Sequence, residues 1–350
     1  MVSVGVIGSG AWGTTLACLL ATKGIRTTLW EHQSARAQQM QQTGENSLFL
    51  PGFRLPADLH VTADLARAVQ GQTMLLLVTP SQRMRANLRL LAPLLGTETL
   101  LVSASKGMEM GTLKRMTEVI EEEVPDARWR LATLSGPNIS REVAERKPTA
   151  AVVAAYTPTV ALQVRALLTT DCYRVYNSDD VIGVELGGAL KNIIAIGAGF
   201  NDGMGFGDNA KAAFITRGLA EISRLGIAAG ANPLTFSGLA GMGDLIATCA
   251  SPLSRNHQLG QRLAAGQRLD DILASTRSVA EGVSTTRAAL QFARRYGVDM
   301  PITRRLSLVL FENLDPRKVV PELMMRDLKH ELEGISEEQE LRLPRVPEDI

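Results

Sequence analysis

The first thirteen residues limit the fold more than any other part of the chain. An apolar run, Val4-Gly5-Val6-Ile7, leads into Gly8-Ser9-Gly10-Ala11-Trp12-Gly13 and then into a helical pattern. Strand, G-x-G-x-x-G turn and helix in that order open a βαβ unit whose turn accepts a pyrophosphate. Each glycine has a task. Gly8 permits the tight turn, Gly10 lets a phosphate approach the backbone, and Gly13 lets helix and strand pack closely. Free N–H groups at the helix start then face the phosphate oxygens, and Ser9 joins this candidate cofactor-binding set. The alternative is a structural glycine turn in an α/β protein with some other ligand.

A second apolar run ends at Trp30, and Glu31 follows it. That is near the ~20-residue spacing expected of an acid that binds a ribose 2′-hydroxyl. Glu31 would repel a 2′-phosphate and favours NAD, whereas His32 and Arg36 could offset it and admit NADP. The reading is NAD or NADP, with a slight lean to NAD.

Short apolar runs at 4–7, 26–30, 74–78, 99–103 and 130–134 read as buried strands. Helical patterns such as 13–23 and 81–94 lie between several of them. Alternation of this kind predicts a parallel, doubly wound sheet. Further strands are expected at 150–154 and 173–176, separated by a helix at 159–168. Beyond about 179 the strand signal fades, and helices are expected at 181–199, 210–229, 284–296, 301–312 and 321–333. The fold class is therefore α/β: an N-terminal Rossmann-type doubly wound sheet (1–179), then an all-α domain (180–334). The boundary falls in the polar cluster 177–180, and 335–350 reads as a polar tail.

A chain of 350 residues is natural for two such units. Its net charge of +1, with no basic block, argues against a nucleic-acid surface. Cys18, Cys172 and Cys249 are too sparse for a disulfide framework and suit a reducing compartment; Cys18 and Cys249 read as packing residues. No basic segment precedes a long apolar core at the N-terminus. No stretch is expected to approach the ~20 apolar residues of a membrane helix. The expected location is the cytoplasm. No Cys/His/carboxylate set has metal-ligand spacing, so no metal is expected.

Three segments carry candidate chemistry. In Gly187-Gly188-Ala189-Leu190-Lys191-Asn192-Ile193-Ile194-Ala195-Ile196-Gly197 a lysine and an asparagine interrupt an apolar run. Glycines there cost helix stability, about 1 kcal/mol each relative to alanine, which makes sense where something must approach the backbone closely. A solvated face of an amphipathic helix is the plainer reading. A ketone reduction needs a proton donor at the carbonyl oxygen, and a buried lysine with a lowered pKa can serve. In Gly238-Leu239-Ala240-Gly241-Met242-Gly243-Asp244 the glycines set Asp244 at the start of a short helix, as an N-cap, as a partner orienting Lys191 and a substrate hydroxyl, or as both. In Ser251-Pro252-Leu253-Ser254-Arg255-Asn256-His257 the polar residues are either an oxyanion grip or an ordinary capped helix.

Together these segments resemble bacterial-type NAD(P)-dependent glycerol-3-phosphate dehydrogenase, over roughly residues 4–331. The resemblance extends through Asn46-Ser47-Leu48-Phe49-Leu50-Pro51-Gly52, Thr79-Pro80-Ser81-Gln82, Ser105-Lys106-Gly107-Met108-Glu109 and Leu134-Ser135-Gly136-Pro137-Asn138. It continues in Gly207-Asp208-Asn209-Ala210-Lys211, Ser278-Val279-Ala280-Glu281-Gly282 and Leu323-Met324-Met325-Arg326-Asp327. It implies that Lys191 transfers the proton, that Asp244 and Asn192 are its partners and that Thr248 orders Asp244. Lys106 would lie between substrate and cofactor, where its charge helps lower the pKa of Lys191. Gly136, Asn138, Ser254, Arg255 and Asn256 would contact the substrate. Ala11, Trp12, His32, Ser140, Val279 and Glu281, with Lys106 and Arg255, would contact the cofactor. Ser140 stands where alanine is more usual, and His257 where arginine is common.

The implied reaction is the reversible reduction of dihydroxyacetone phosphate to sn-glycerol 3-phosphate, feeding phospholipid synthesis, in a homodimer. A 3-hydroxyacid or ketopantoate-type reductase, and a non-catalytic NAD(P)H-sensing protein on the same fold, are the alternatives.

Overall fold

The computed structural model describes residues 2–275 and 281–312, with scattered positions out to 331. The N-terminal part is one eight-stranded sheet: β1 (Ser3–Ile7), β2 (Arg26–Trp30), β3 (Leu59–Thr62), β4 (Met74–Leu77), β5 (Leu100–Ser103), β6 (Leu131–Ser135), β7 (Thr149–Ala155) and β8 (Tyr173–Ser178). Their spatial order is β3-β2-β1-β4-β5-β6-β7-β8. The order turns back between β1 and β4, at the carboxyl end of the strand that feeds the glycine turn. In open α/β sheets such a switch point forms the ligand crevice. Strands β1, β4 and β5 are buried throughout or nearly so, because helices cover both faces and leave no solvated side.

Two features depart from the sequence expectation. Strand β3 was not anticipated: it is short, carries an exposed His60 and lies at the sheet edge. And the sheet is not wholly parallel, since β7 runs antiparallel to β6. The link between those strands holds only the helix Ser140–Ala144. Five residues rise about 7.5 Å, too little to carry the chain back along a strand for a parallel return. The helix Pro158–Leu168 then restores parallel pairing between β7 and β8.

Helices were also missed where they are polar or short. Ser34–Thr43 buries only Ala37 and Met40, so no apolar stripe announces it. Leu65–Val69, Met116–Glu123 and Leu269–Ser275 are five to eight residues long. The helix expected over 81–94 is broken into a 3₁₀ turn, the α-helix Met84–Leu91 and a second 3₁₀ turn containing Pro93. The helix expected at 321–333 and the tail at 335–350 lie outside the described residues.

The second half is helical and built around Val181–Met204. Against expectation, this helix is long and apolar enough to cross a membrane by composition, but 89% of the relevant window is buried within the protein. It is hydrophobic all round because it is surrounded by protein. Helices Asp208–Ala228, Asp244–Ala250, Arg255–Ala264 and Glu281–Tyr296 pack around it. Glycines on both sides of the contact admit the closest neighbour: a methyl on Gly199 of this helix would overlap the His257 carbonyl, and one on Gly260 of Arg255–Ala264 would overlap that of Ile196.

The central helix is also tied to the sheet domain. The buried Glu185 carboxylate accepts bonds from Arg115 Nη1 (2.6 Å) and the Thr117 amide (2.9 Å), at the start of Met116–Glu123.

Candidate active site

Local backbone geometry builds the turn after β1. Gly8 has φ +118°, a region that L side chains rarely adopt, and a methyl there would lie 2.6 Å from the Val78 carbonyl oxygen. Gly13 has no room for a methyl because the Gly8 carbonyl faces it. Gly10 differs: nothing in the protein lies within 4 Å of where its Cβ would be. Gly10 precedes the first turn of the helix Ala11–Thr22, so the empty space adjoins free backbone N–H groups. A dinucleotide pyrophosphate fits that cradle. The Trp12 indole Nε1, shut off from solvent with no partner, is a further unfilled donor beside it.

Glu31 is fully buried by its side chain and is already engaged. It accepts from the Ser9 hydroxyl, from the Gln33 amide (2.8 Å) and from Arg36 (2.6 Å). Burial works against its charge, yet Arg36, Ser9 and Gln33 together hold the carboxyl below its usual range. The acid thus ties the turn to the loop after β2. His32 is largely exposed beside it, 3.1 Å from the same carboxylate. Sequence reasoning missed Asn46, whose buried amide donates to the Ser9 carbonyl and the Thr14 hydroxyl, each at 2.8 Å, and fastens the turn from behind.

Asp244 lies at the centre of the second cluster, 1% exposed. Its Oδ1 takes the Lys191 ammonium and its Oδ2 takes Lys106 Nζ at 2.7 Å. Thr248 Oγ1 receives Lys191 Nζ at 2.5 Å and donates to the Asp244 carbonyl at 2.7 Å, one helical turn back. Lys106 also donates to the Gly136 carbonyl at 2.9 Å. Lys191, Asp244, Lys106 and Thr248, from three separate stretches of chain, therefore form one buried network.

Gly188 and Gly187 explain how the network is reached. A methyl on Gly188 would overlap the Ser135 hydroxyl, and one on Gly187 would lie 2.5 Å from the Ala240 carbonyl oxygen. These glycines let the end of β6 and the Asp244 turn close onto the lysine helix. Burial pulls the Lys191 ammonium down to about 8; the Asp244 carboxylate opposes the change and the Lys106 charge adds to it.

Asn192 Oδ1 accepts from Asn256 Nδ2 at 2.9 Å, and Asn256 Oδ1 accepts from the Gly282 amide at 3.2 Å. The Asn192 NH₂ is left to donate elsewhere. Ser254 caps the helix Arg255–Ala264 by accepting the His257 amide at 3.3 Å. Arg255 is exposed at that helix start and forms no ion pair among the described residues, although its charge acts on Glu281. Glu281, at the start of Glu281–Tyr296, accepts the Ser81 amide at 3.4 Å, and burial pushes its carboxyl up to about 7. This joins the helical half to the loop after β4.

The Asn138 amide takes the Tyr173 hydroxyl at 3.2 Å, and the Ser140 carbonyl takes the Thr15 hydroxyl at 3.2 Å. Ala11 lies at the start of the first helix, and Val279 falls outside the described residues. Cys249 is buried, its thiol pushed up to about 12 by burial, as is that of Cys18; both are unreactive in that state. Among the described residues no group of three or more His, Cys, Asp or Glu could hold a metal ion.

Comparison with known proteins follows the same division of the chain. The family pattern for the NAD-dependent glycerol-3-phosphate dehydrogenase N-terminus matches residues 3–161, and that for its C-terminus matches 180–321. Glycerol-3-phosphate dehydrogenase [NAD(P)+] of Geobacter sulfurreducens is 52% identical over 329 residues, 94% of this chain and 98% of that one. The enzyme of the same name from Streptomyces griseus is 48% identical over 330 residues, again 94% and 98%. The crystal structure of glycerol-3-phosphate dehydrogenase from Coxiella burnetii superposes with a TM-score of 0.88 at 36% identity, covering 93% of this chain and 99% of that one. A ketopantoate reductase from Ralstonia eutropha covers 92% and 99% but reaches only TM-score 0.59 at 16% identity, a likeness of fold alone.

Proposed function

Since this chain belongs to the NAD-dependent glycerol-3-phosphate dehydrogenase family, we propose that the Lys191–Asp244–Lys106 network is its proton-transfer centre. The reaction is the NAD(P)H-dependent reduction of dihydroxyacetone phosphate to sn-glycerol 3-phosphate, reversible, supplying the glycerophospholipid backbone. The observation that carries the site assignment is a buried lysine, bonded to one carboxylate that a second lysine shares.

Gly8, Ser9, Gly10, Ala11, Trp12 and Gly13 would hold the dinucleotide, with His32, Ser140, Val279 and Glu281 along its length. When bound it supplies the hydride for the substrate ketone carbon. Arg255, beside the Ser254 cap, grips the phosphate through its planar fork and the helix-start N–H groups. Lys106, held by Asp244 and the Gly136 carbonyl, stands on the ketone side and stabilises the developing oxyanion. Lys191 gives the carbonyl oxygen its proton, and Asp244 with Thr248 fixes the ammonium and steadies the amine left behind. Asn192 and Asn138 donate to substrate oxygens.

We read residues 1–179 as the dinucleotide-binding unit and 180–334 as the substrate unit, in a cytoplasmic homodimer. Glu31 pairs with Arg36 at 2.6 Å and lies 3.1 Å from His32, so both residues that could offset its charge toward a 2′-phosphate are already engaged by it.

The test is direct. Absorbance at the reduced-nicotinamide band, followed with dihydroxyacetone phosphate and NADH or NADPH, should show turnover. Turnover with ketopantoate but none with the phosphorylated triose would sink the reading.

A further inference from the structure

Tyr173 is unassigned by everything above, yet it sits where the mechanism needs order. It begins β8, is 0% exposed and belongs to the sheet-domain core. A phenol so deep in apolar surroundings must find a partner for its hydroxyl, and it donates to Asn138 Oδ1 at 3.2 Å. Burial pushes the phenol above its usual range; the hydrogen bond to Asn138 opposes the shift and the Asp244 charge adds to it.

Asn138 lies in the segment between β6 and the helix Ser140–Ala144. That segment is pinned at each end. Lys106 donates to the Gly136 carbonyl at 2.9 Å, and the Thr15 hydroxyl donates to the Ser140 carbonyl at 3.2 Å. The Tyr173 hydroxyl is a third anchor and acts on the side chain in the middle. Because the phenol donates to Oδ1, the amide plane is fixed and its NH₂ points away from Tyr173 toward other groups. That nitrogen is closed off from solvent and has no partner. The Trp12 indole nitrogen is equally dry and unpartnered, and its ring lies 6.3 Å from that of Tyr173. In folded chains such donors are normally completed by ordered water, an ion or a ligand.

We infer that Tyr173 is a positioning residue for substrate recognition: its hydroxyl locks the Asn138 amide so that the NH₂ faces an oxygen of the bound phosphotriose. The inference rests on the placement of Asn138 on the substrate side. Tyr173 itself does not touch the reacting atoms.

Steady-state kinetics with dihydroxyacetone phosphate at saturating NADH, and NADH binding by nicotinamide fluorescence, would be compared for wild type, Tyr173→Phe, Asn138→Ala and the double variant. Tyr173→Phe removes one oxygen and keeps the packing. It should raise KM for the triose by about tenfold, the scale of one lost hydrogen bond, with kcat within about twofold and NADH affinity unchanged. Asn138→Ala should do the same, and the double variant should be no worse than Asn138→Ala alone. If Asn138→Ala raises KM and Tyr173→Phe does not, the positioning role is wrong while the site stands. If Asn138→Ala leaves KM alone, the placement of that residue fails and takes the inference with it. Multiplying effects in the double variant, or a lowered Tm with KM unchanged, would reduce Tyr173 to a packing residue.

Discussion

Two glycine-dense regions, the turn after β1 and the helix Val181–Met204, use the missing side chain for opposite purposes at Gly10 and at Gly187, Gly188 and Gly199. At Gly10 the missing side chain leaves open space; at Gly187, Gly188 and Gly199 it leaves room that the protein itself fills. On the proposed reading, the first region is shaped for a molecule that comes and goes. The second is shaped so that Lys191 can be buried among backbone and side chains that never leave. The same residue type therefore leaves open space in one region and makes a packing hub in the other, and only the neighbours tell which.

The sharpest way to separate the two is to remove the charge carried by the hub. Lys191→Ala should cut kcat by about 10³-fold, within the range for a lost general acid, and leave NADH binding at the turn within about twofold. Near-normal turnover, or lost binding with it, would mean that the two regions are not divided as described.

A methyl inserted at each glycine gives the next contrast. Gly199→Ala should destabilise the fold by about 3 kcal/mol, the cost of overpacking a tight helix contact, seen as a lower denaturant midpoint. Gly10→Ala should change stability by less than about 1 kcal/mol, since no protein atom stands in the way, but weaken dinucleotide binding about tenfold. Equal losses of stability would erase the distinction.

The smallest effect is in pH. Triose reduction needs the Lys191 ammonium, so its kcat should fall as pH rises through about 8, where that group loses its proton. Oxidation of glycerol 3-phosphate needs the free amine and should fall as pH drops below the same point. Stability has its own sign. Between the folded value of about 8 and the ordinary lysine value of 10.5 the unfolded chain holds the extra proton, so this group makes the fold more stable as pH rises through that window. Rate profiles of both directions that run parallel would remove Lys191 from proton transfer.

How much of this could be read from the residues varied with how local the cause was. The glycine turn was legible because its spacing is a backbone requirement contained in six residues. The lysine helix was legible as an anomaly, a charge in an apolar run with glycines that weaken a helix, although nothing in it told that Ser135 and the Ala240 carbonyl would fill the gaps. Strand β3 was not legible, because four residues at an edge, one of them an exposed histidine, carry almost no period. The antiparallel β7 was hidden too: its Thr149–Ala155 composition suits a buried strand in either direction, and only the brevity of Ser140–Ala144 decides. Glu31 was expected to meet a ribose, but its engagement with Ser9 and Arg36 depends on a loop whose path the sequence does not reveal. The Tyr173–Asn138 contact joins residues 35 positions apart and has no sequence signature.

The Glu185 contact with Arg115 and Thr117 also constrains how the molecule can move. Removing one partner of a buried ion pair of this kind costs about 3–5 kcal/mol, so the contact is closed in all but a small fraction of molecules. The two walls of the crevice are therefore held together there. The least costly way to admit and release ligands is rotation about that fixed point, like a pair of shears about its rivet, with the widest travel at the far tips.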